Sequence, residues 1–283
     1  MRFLILGASG MVGHTIALYL MEKGCKVVGI SRRKVNYVNS IELDVTDLKA
    51  LSNFVLNSDF DVIVNAVGIL NEDAEKDKAS AVFINSYLPH FLEEITAERR
   101  ERIFQLSTDC VFSGRTGGYT EDSLPDGSTF YDRTKALGEI INRKDLTIRC
   151  SIIGPDINSN GIGLFNWFMR QSGSVNGYSK VMWTGLTTVE LARTIVYAAE
   201  NNLSGLIHFV PDDSISKYDL LRLFSKYFRN NRVRVRNDES VMVNKTLLRD
   251  KVKNPFVNKT YELQIVDMKN WIIGHPYLYG HYL

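Results

Sequence analysis

Phe3-Leu4-Ile5-Leu6-Gly7-Ala8-Ser9-Gly10-Met11-Val12-Gly13 is the stretch from which the fold is read. Phe3 to Leu6 is a short continuous apolar run, which suits a strand covered on both faces. Residues 11–22 follow with Val12, Ile16, Leu18, Tyr19 and Leu20 at helical spacing. The glycines between them are spaced GxxGxxG. A bare glycine pattern says little, but one that leaves a strand and opens a helix has a mechanism. Glycine supplies positive φ and lets the backbone approach a pyrophosphate. The helix N-terminus adds free N–H groups and the positive end of its dipole. Gly7, Ser9, Gly10, Met11, Val12 and Gly13 are therefore candidate dinucleotide-binding residues. The bland alternative is a glycine-rich turn with no ligand.

Working outward, the same alternation continues to about residue 150. Lys26–Ile30, Ile41–Leu43, Asp61–Ala66, Arg102–Leu106 and Thr147–Arg149 read as strands. Residues 47–57, 79–97 and 131–143 read as helices, with Pro89 the weak point of the second. Strands separated by helices of this length imply βαβ units and a mostly parallel sheet. The expected fold is α/β, a Rossmann-type doubly wound parallel sheet over residues 1–150. Beyond it the rhythm changes. Residues 154–163 are a Gly/Pro/Asn/Ser loop. Residues 164–171, 188–199, 216–228 and 261–273 read as helices, with Thr187 or Thr188 capping the second of these. Leu206–Val210 and the alternating Arg232–Arg236 read as strands. Residues 151–283 are expected to form a smaller α+β substrate-binding lobe, with segments around 187–210 returning to the Rossmann domain.

Composition narrows the classes. The 283 residues carry 34 Lys+Arg against 32 Asp+Glu, a formal net charge of +2. Nucleic-acid binders usually show a clear basic excess, so none is expected as a partner. Balanced charge and 11% aromatic residues exclude a disordered chain. No apolar run approaches the roughly 18 residues of a membrane span. The apolar start breaks at Gly7, too early for a signal peptide. Cys25, Cys110 and Cys150 form no CxxC pair and suit a reducing compartment. The expectation is a cytoplasmic protein with no membrane partner; a homodimer is left open. His14, His90, His208, His275 and His281 show no metal-ligand spacing, so no metal is expected.

Two further segments carry chemistry. After the second strand, where an acidic residue would bind a ribose 2′-OH, the chain reads Ser31-Arg32-Arg33-Lys34. A hydroxyl followed by cations suits a 2′-phosphate, so NADPH is expected over NADH. The alternative is a solvated basic turn. Tyr131-Asp132-Arg133-Thr134-Lys135 is a YxxxK motif, which on a helix places both side chains on one face. Lys135 is expected to lower the phenol pKa of Tyr131, fitting it to protonate a carbonyl oxygen as hydride reaches the carbon. Lys135 also suits a nicotinamide ribose. The strand ending at Leu106 runs into Ser107-Thr108-Asp109, where open α/β sheets bind ligands. Local turn capping is the alternative for those three residues. Asn166, Trp167, Tyr178 and Trp183 are candidate sugar or nucleobase contacts.

Gly7/Gly10/Gly13, Asp44-Val45, Asn65-Ala66-Val67-Gly68, Asn85, Ser107-Thr108-Asp109-Cys110-Val111-Phe112 and Tyr131–Lys135 occur in the order of the extended short-chain dehydrogenase/reductases. The segments STDCVFSG, GGYTEDS and YDRTKALGE resemble the dTDP-4-dehydrorhamnose reductase branch. The resemblance is strong over residues 1–150 and weaker beyond. It implies a catalytic triad of Thr108, Tyr131 and Lys135. It implies that Asp44 and Val45 flank the adenine, that Ala66, Val67 and Gly68 line the nicotinamide side, and that Asn85 lies beside that wall. Candidate substrate contacts, read from position in the chain, are Ser107, Thr108 and Asp109 at the strand end and Asn166 and Trp183 in the region of the 154–184 loops. The implied activity is NADPH-dependent reduction of the C4 ketone of a nucleotide-linked 4-keto-6-deoxyhexose in surface polysaccharide biosynthesis. Val181–Thr188 and the tail His275–Tyr282 depart from the branch. They leave open a UDP-linked 2-acetamido substrate, but not another reaction type. The rivals on the same scaffold are a sugar-nucleotide epimerase or dehydratase and a non-catalytic NADP-binding regulatory subunit.

Overall fold

Strand β1 (Arg2–Leu6) is covered on both faces, with Phe3 to Leu6 wholly buried, as a central parallel strand requires. The computed structural model describes all 283 residues, Met1–Leu283. From β1 the chain passes through α1 (Met11–Glu22), β2 (Lys26–Ser31), β3 (Asn39–Glu42), α2 (Leu48–Leu56) and β4 (Val62–Asn65). Next come α3 (Asn71–Lys76), α4 (Lys78–Val82), a π turn (Phe83–Tyr87), α5 (Leu88–Ile95) and β5 (Arg102–Ser107). A 3₁₀ turn (Asp109–Val111), α6 (Phe130–Leu137) and β6 (Leu146–Arg149) follow. The later elements are β7 (Ser151–Ile153), α7 (Leu164–Met169), β8 (Ser174–Tyr178), β9 (Val181–Trp183), β10 (Gly185–Thr187), α8 (Thr188–Glu200) and β11 (Gly205–His208). The last are β12 (Ile215–Ser216), α9 (Lys217–Phe228), β13 (Arg234–Asp238), β14 (Val243–Asn244), α10 (Tyr261–Gly274) and α11 (Pro276–Tyr279).

The chain divides into two units. The first comprises residues 1–113, 124–149 and 195–207. Its seven-stranded sheet has the order β11-β6-β5-β4-β1-β2-β3, and every pair from β3 to β6 is parallel. This is the Rossmann-type sheet that the strand–helix alternation predicts. Leu4, Leu6, Ile30, Leu51, Ile63, Leu88, Leu92 and Ile103 form one buried cluster. Each such side chain contributes roughly 1.5–3 kcal/mol when taken fully out of water. Asp47 caps α2 by accepting from the Ala50 N–H at 2.9 Å.

The second unit comprises residues 114–123, 150–194 and 208–283. It holds three small sheets, ordered β10-β7, β12-β9-β14 and β13-β8. Phe165, Phe168, Phe224 and Phe228 pack ring on ring between α7 and α9. The Glu190 N–H donates to the Thr187 hydroxyl at 3.2 Å, which assigns the α8 cap left open above.

Three segments test the periodicity reading. The helix expected over 79–97 forms as one continuous helical run over 78–95, with the π turn Phe83–Tyr87 in its middle. Pro89 follows directly on that π turn, and the backbone keeps helical angles on both sides of the turn, at Val82 and at Leu88. The helix expected over 131–143 stops at Leu137, because Gly138 abuts the Asn85 carbonyl and Thr147 takes both the Ile140 N–H and C=O. Helix α3 was not expected, since NEDAEK has no apolar stripe to reveal it. No helix is long and apolar enough to cross a membrane.

Candidate active site

In the first unit, the loops after β1, β2 and β4 surround one cavity of about 330 Å³ at the carboxyl ends of the strands. Gly7, Ser9 and Gly10 line it from the first loop, Ser31 and Arg32 from the second, and Ala66, Val67 and Gly68 from the third. Asp44 and Val45, beyond β3, complete the wall. The glycines are required by geometry. Gly7 has φ +83°, a left-handed conformation. A Cβ on Gly13 would overlap the Gly7 carbonyl oxygen. Gly10 caps α1 with no side-chain hydrogen bond, so the helix N–H groups face the loop without a side-chain partner. Such a cradle fits a dinucleotide pyrophosphate. Met11 and Val12 form the first turn of α1 behind it.

Two residues brace this loop from outside the glycine motif. The Tyr37 hydroxyl donates to the Ala8 carbonyl at 2.9 Å. The buried His14 ring contacts the Gly10 carbonyl through Nδ1 at 2.8 Å. Their spacing to the loop follows no sequence pattern. On the opposite wall, Asp44 accepts from the Thr46 N–H at 3.0 Å and its hydroxyl at 2.9 Å. These bonds, helped by the Arg32 charge, hold the Asp44 carboxyl below the usual carboxylate range. Thr46 also lines the cavity, together with Ile30, Leu43, Ile69, Ser80 and Ile84. The DxT spacing of Asp44 and Thr46 is an Asx-turn signal that was there to be read; Ser80 and Ile84 carry none.

Asn85 does not line the cavity. It is wholly buried in the π turn and works behind the wall. Its side-chain carbonyl accepts from the Ile69 N–H at 2.9 Å. Its amide donates to the Ile69 carbonyl at 2.8 Å and to the Thr134 hydroxyl at 3.1 Å. Asn85 thus ties the loop after β4 to helix α6.

Thr108, Tyr131 and Lys135 are brought together by β5 and α6. The Thr129/Asp132 capping box fixes the start of α6, two residues before Tyr131. Thr108 stands at the end of β5 and caps the 3₁₀ turn by accepting from the Cys110 N–H at 3.1 Å. Its hydroxyl donates to Asp109 at 3.2 Å. Tyr131 and Lys135 are both buried, on one face of α6. The expected depression of the Tyr131 pKa is not found. Burial drives the phenol upward and Cys110 adds to it; a hydrogen bond with Thr108 opposes them, and Asp109 and Asp132 push up again. Lys135 instead donates from Nζ to the Leu106 carbonyl at 2.7 Å. Burial pushes its own pKa down to about 8, against the pull of Glu139.

Other expected contacts have partners of their own. The Ser107 hydroxyl donates to Glu139 at 2.6 Å. In the second unit, the buried Asn166 amide donates to the Gly161 carbonyl at 2.8 Å and to the Asn158 carbonyl at 3.1 Å. Its side-chain oxygen accepts from the Tyr282 hydroxyl at 2.7 Å. Asn166 thus holds the local backbone, whereas Ser107 holds a side chain. Trp183 is 3% exposed, with Lys217 Nζ 4.6 Å from its ring, and its indole N–H has no hydrogen-bond partner. Trp167 and Tyr178 are about one-third exposed.

The family model described as the RmlD substrate binding domain matches residues 1–271. A dTDP-4-dehydrorhamnose reductase of Aggregatibacter actinomycetemcomitans is 24% identical over 230 residues, which are 77% of this chain and 76% of the relative. The crystal structure of a dTDP-4-dehydrorhamnose reductase from Clostridium acetobutylicum superposes with a TM-score of 0.80 at 20% identity, covering 96% of this chain and 100% of that one. The enzyme of that name from Bacillus anthracis, solved in complex with NADP, superposes with a TM-score of 0.80 at 18% identity, covering 96% and 99%. At such identities the solved structures establish the fold.

Proposed function

The chain belongs to the RmlD substrate-binding-domain family, and from that membership we propose that it is an NADPH-dependent reductase. It reduces the C4 ketone of a nucleotide-linked 4-keto-6-deoxyhexose, as a dTDP-4-dehydrorhamnose reductase does, in surface polysaccharide biosynthesis. The observation that carries the reading is that Thr108, at the end of β5, and the buried Tyr131 and Lys135 of α6, with Lys135 bonded to the β5 carbonyl of Leu106, stand in the unit that holds the glycine-loop cavity.

Gly7, Ser9, Gly10 and the α1 turn Met11-Val12-Gly13 would hold the pyrophosphate of the dinucleotide. Ser31 and Arg32 would take the 2′-phosphate, the charge-assisted contact that selects NADPH over NADH. Asp44 and Val45 would flank the adenine. Ala66, Val67 and Gly68 would form the nicotinamide wall, which Asn85 keeps in place. When bound, the cofactor supplies a hydride. Tyr131 gives its phenolic proton to the C4 oxygen. Its raised pKa keeps that proton in place at neutral pH, the form that reduction requires. Lys135 holds the ribose and lends its charge to the phenol as the proton leaves. Thr108 orients the carbonyl, with Asp109 beneath its hydroxyl. Trp183 is our remaining candidate for the nucleotide sugar. Ser107 is assigned to holding Glu139 through its hydroxyl, and Asn166 to supporting the loop backbone through its amide. We place the enzyme in the cytoplasm, the compartment of its nucleotide substrates; sedimentation measures whether it works as a homodimer.

The test follows NADPH absorbance with dTDP- and UDP-linked 4-keto-6-deoxy sugars, each with and without a 2-acetamido group. Oxidation of NADPH with the dTDP-linked sugar is expected. Oxidation only with a UDP-linked 2-acetamido sugar would move the substrate but keep the chemistry. No oxidation with any sugar would overturn the reading in favour of a non-catalytic NADP-binding subunit. Tight retention of NAD through purification would favour an epimerase or dehydratase.

A further inference from the structure

Beneath the candidate triad lies a buried ionic clamp that the proposed reaction does not use. Ser107 and Arg149 are the last residues of β5 and β6 and stand opposite each other in the parallel ladder. Glu139, two residues beyond α6, closes on both. Its Oε1 accepts from Ser107 Oγ at 2.6 Å and from Arg149 Nε at 2.8 Å; its Oε2 accepts from Arg149 Nη2 at 2.6 Å. The Arg149 and Glu139 side chains are 2% and 5% exposed. The guanidinium lies 4.9 Å over the Phe112 ring.

We propose that Glu139 is a positioning residue for the reaction, setting both the place and the charge of Lys135 from within this clamp. The inference rests on the role given to Lys135 above. Two bolts fasten α6 to the end of β5: Lys135 Nζ on the Leu106 carbonyl, and Glu139 on the Ser107 hydroxyl. Thr108 is the next residue of that strand end, so these bolts set its distance from Tyr131. The charges are unequal. The Glu139 carboxylate pairs with Arg149 and holds Ser107, while Lys135, four residues before it, holds the neighbouring Leu106, so one carboxylate serves two buried cations. A guanidinium does not release its proton in this range, so Lys135 is the member that titrates. The titratable and charged groups on the neighbouring elements are Tyr131 and Asp132 on α6, Asp109 and Cys110 in the 3₁₀ turn, Glu139 beyond α6 and Arg149 on β6, and Lys135 itself is bonded to the Leu106 carbonyl on β5. Of the acids, Glu139 is the one bonded to Ser107, next to the Leu106 carbonyl that holds Lys135, and its charge pulls the Lys135 pKa up; Asp109 and Asp132 push up that of Tyr131.

The test is the titration of the Lys135 ammonium, read by NMR in the full-length chain, together with the pH profile of kcat/KM for NADPH-dependent reduction. Glu139→Gln keeps size but removes charge and is expected to move the Lys135 titration down by on the order of one pH unit. The alkaline limb of kcat/KM follows it. Arg149→Met is expected to move the titration the other way. Glu139→Asp retains the charge, loosens the Ser107 bond and keeps the titration near that of the native protein. A clamp with a purely structural role would weaken all three variants without these opposed shifts. An unchanged Lys135 titration in folded Glu139→Gln overturns the inference. If that variant does not fold, an unmoved titration in Arg149→Met overturns it instead. A native protein that reduces no 4-keto sugar refutes the proposed function, while the NMR titration still decides the charge role of Glu139.

Discussion

Gly138 lies so close to Asn85 that a Cβ on it would overlap the Asn85 carbonyl oxygen. The contact joins the end of α6 to the π turn, and Asn85 in turn holds Ile69 and Thr134. Gly138→Ala must push these elements apart. Overpacking of this kind costs about 1–3 kcal/mol. Urea denaturation is expected to find that loss, with a weaker apparent affinity for NADPH because Ile69 lines the cavity. An unchanged urea midpoint would mean that the π turn yields freely.

Tyr131→Phe removes the proton donor and little else, because the ring remains packed beside Ala74 and Ala81. The expected loss in kcat is about 10²–10⁴-fold, the usual contribution of a general acid. NADPH binding, followed by fluorescence, is expected to stay near that of the native protein. Near-normal turnover would refute Tyr131 as the acid.

Arg32→Ala tests the choice of cofactor. Loss of a charged hydrogen bond of about 1.5–3 kcal/mol is expected to raise KM for NADPH by roughly 10–100-fold. KM for NADH is expected to change little, since it carries no 2′-phosphate. Equal effects on both would show that Arg32 acts through Asp44, whose carboxyl it helps to keep ionised, rather than on the phosphate.

His90 makes stability depend on pH. Its Nδ1 lies 2.9 Å from Glu93 and its Nε2 2.8 Å from the Leu137 carbonyl, at the end of α6. Burial pulls the ring pKa down, but these two acceptors outweigh it and the net direction is up. A raised pKa means that the folded state binds the proton more tightly. The stabilisation is therefore complete below the ordinary value of 6.5 and fades as pH rises through the folded value. Thermal unfolding of His90→Gln against the native protein is expected to give the larger difference at the acid end. A constant difference across that range would assign the contribution to packing alone.

The parts of the site legible in the sequence are those whose partners are local. Gly7, Gly10 and Gly13 are spaced by the turn they build, and Tyr131 and Lys135 by one turn of helix. Asn85 was placed by resemblance, but its work was not legible, because Ile69 and Thr134 lie 16 and 49 residues away. Tyr37 was missed for the same reason: its hydroxyl reaches back 29 residues to Ala8. The Tyr131 pKa was misjudged because helical spacing says which residues share a face, not how deeply that face is buried. In residues 151–283 the short strands β7, β9, β10, β12 and β14 have two or three residues each. Such lengths carry too little alternation for a period to be recognised.

The seven-stranded sheet is not assembled from one continuous stretch of chain. Strand β11 (Gly205–His208), which pairs with the outer edge of β6, comes from the end of the returning segment Ile195–Ile207 of the first unit and the residue after it. During synthesis, therefore, six strands leave the ribosome well before the seventh. In that interval β6 has an unpaired edge, the kind of surface that recruits other chains. A polypeptide truncated near Cys150 would expose Leu146–Arg149 permanently, and the growing full-length chain would need that edge shielded until β11 (Gly205–His208) has emerged.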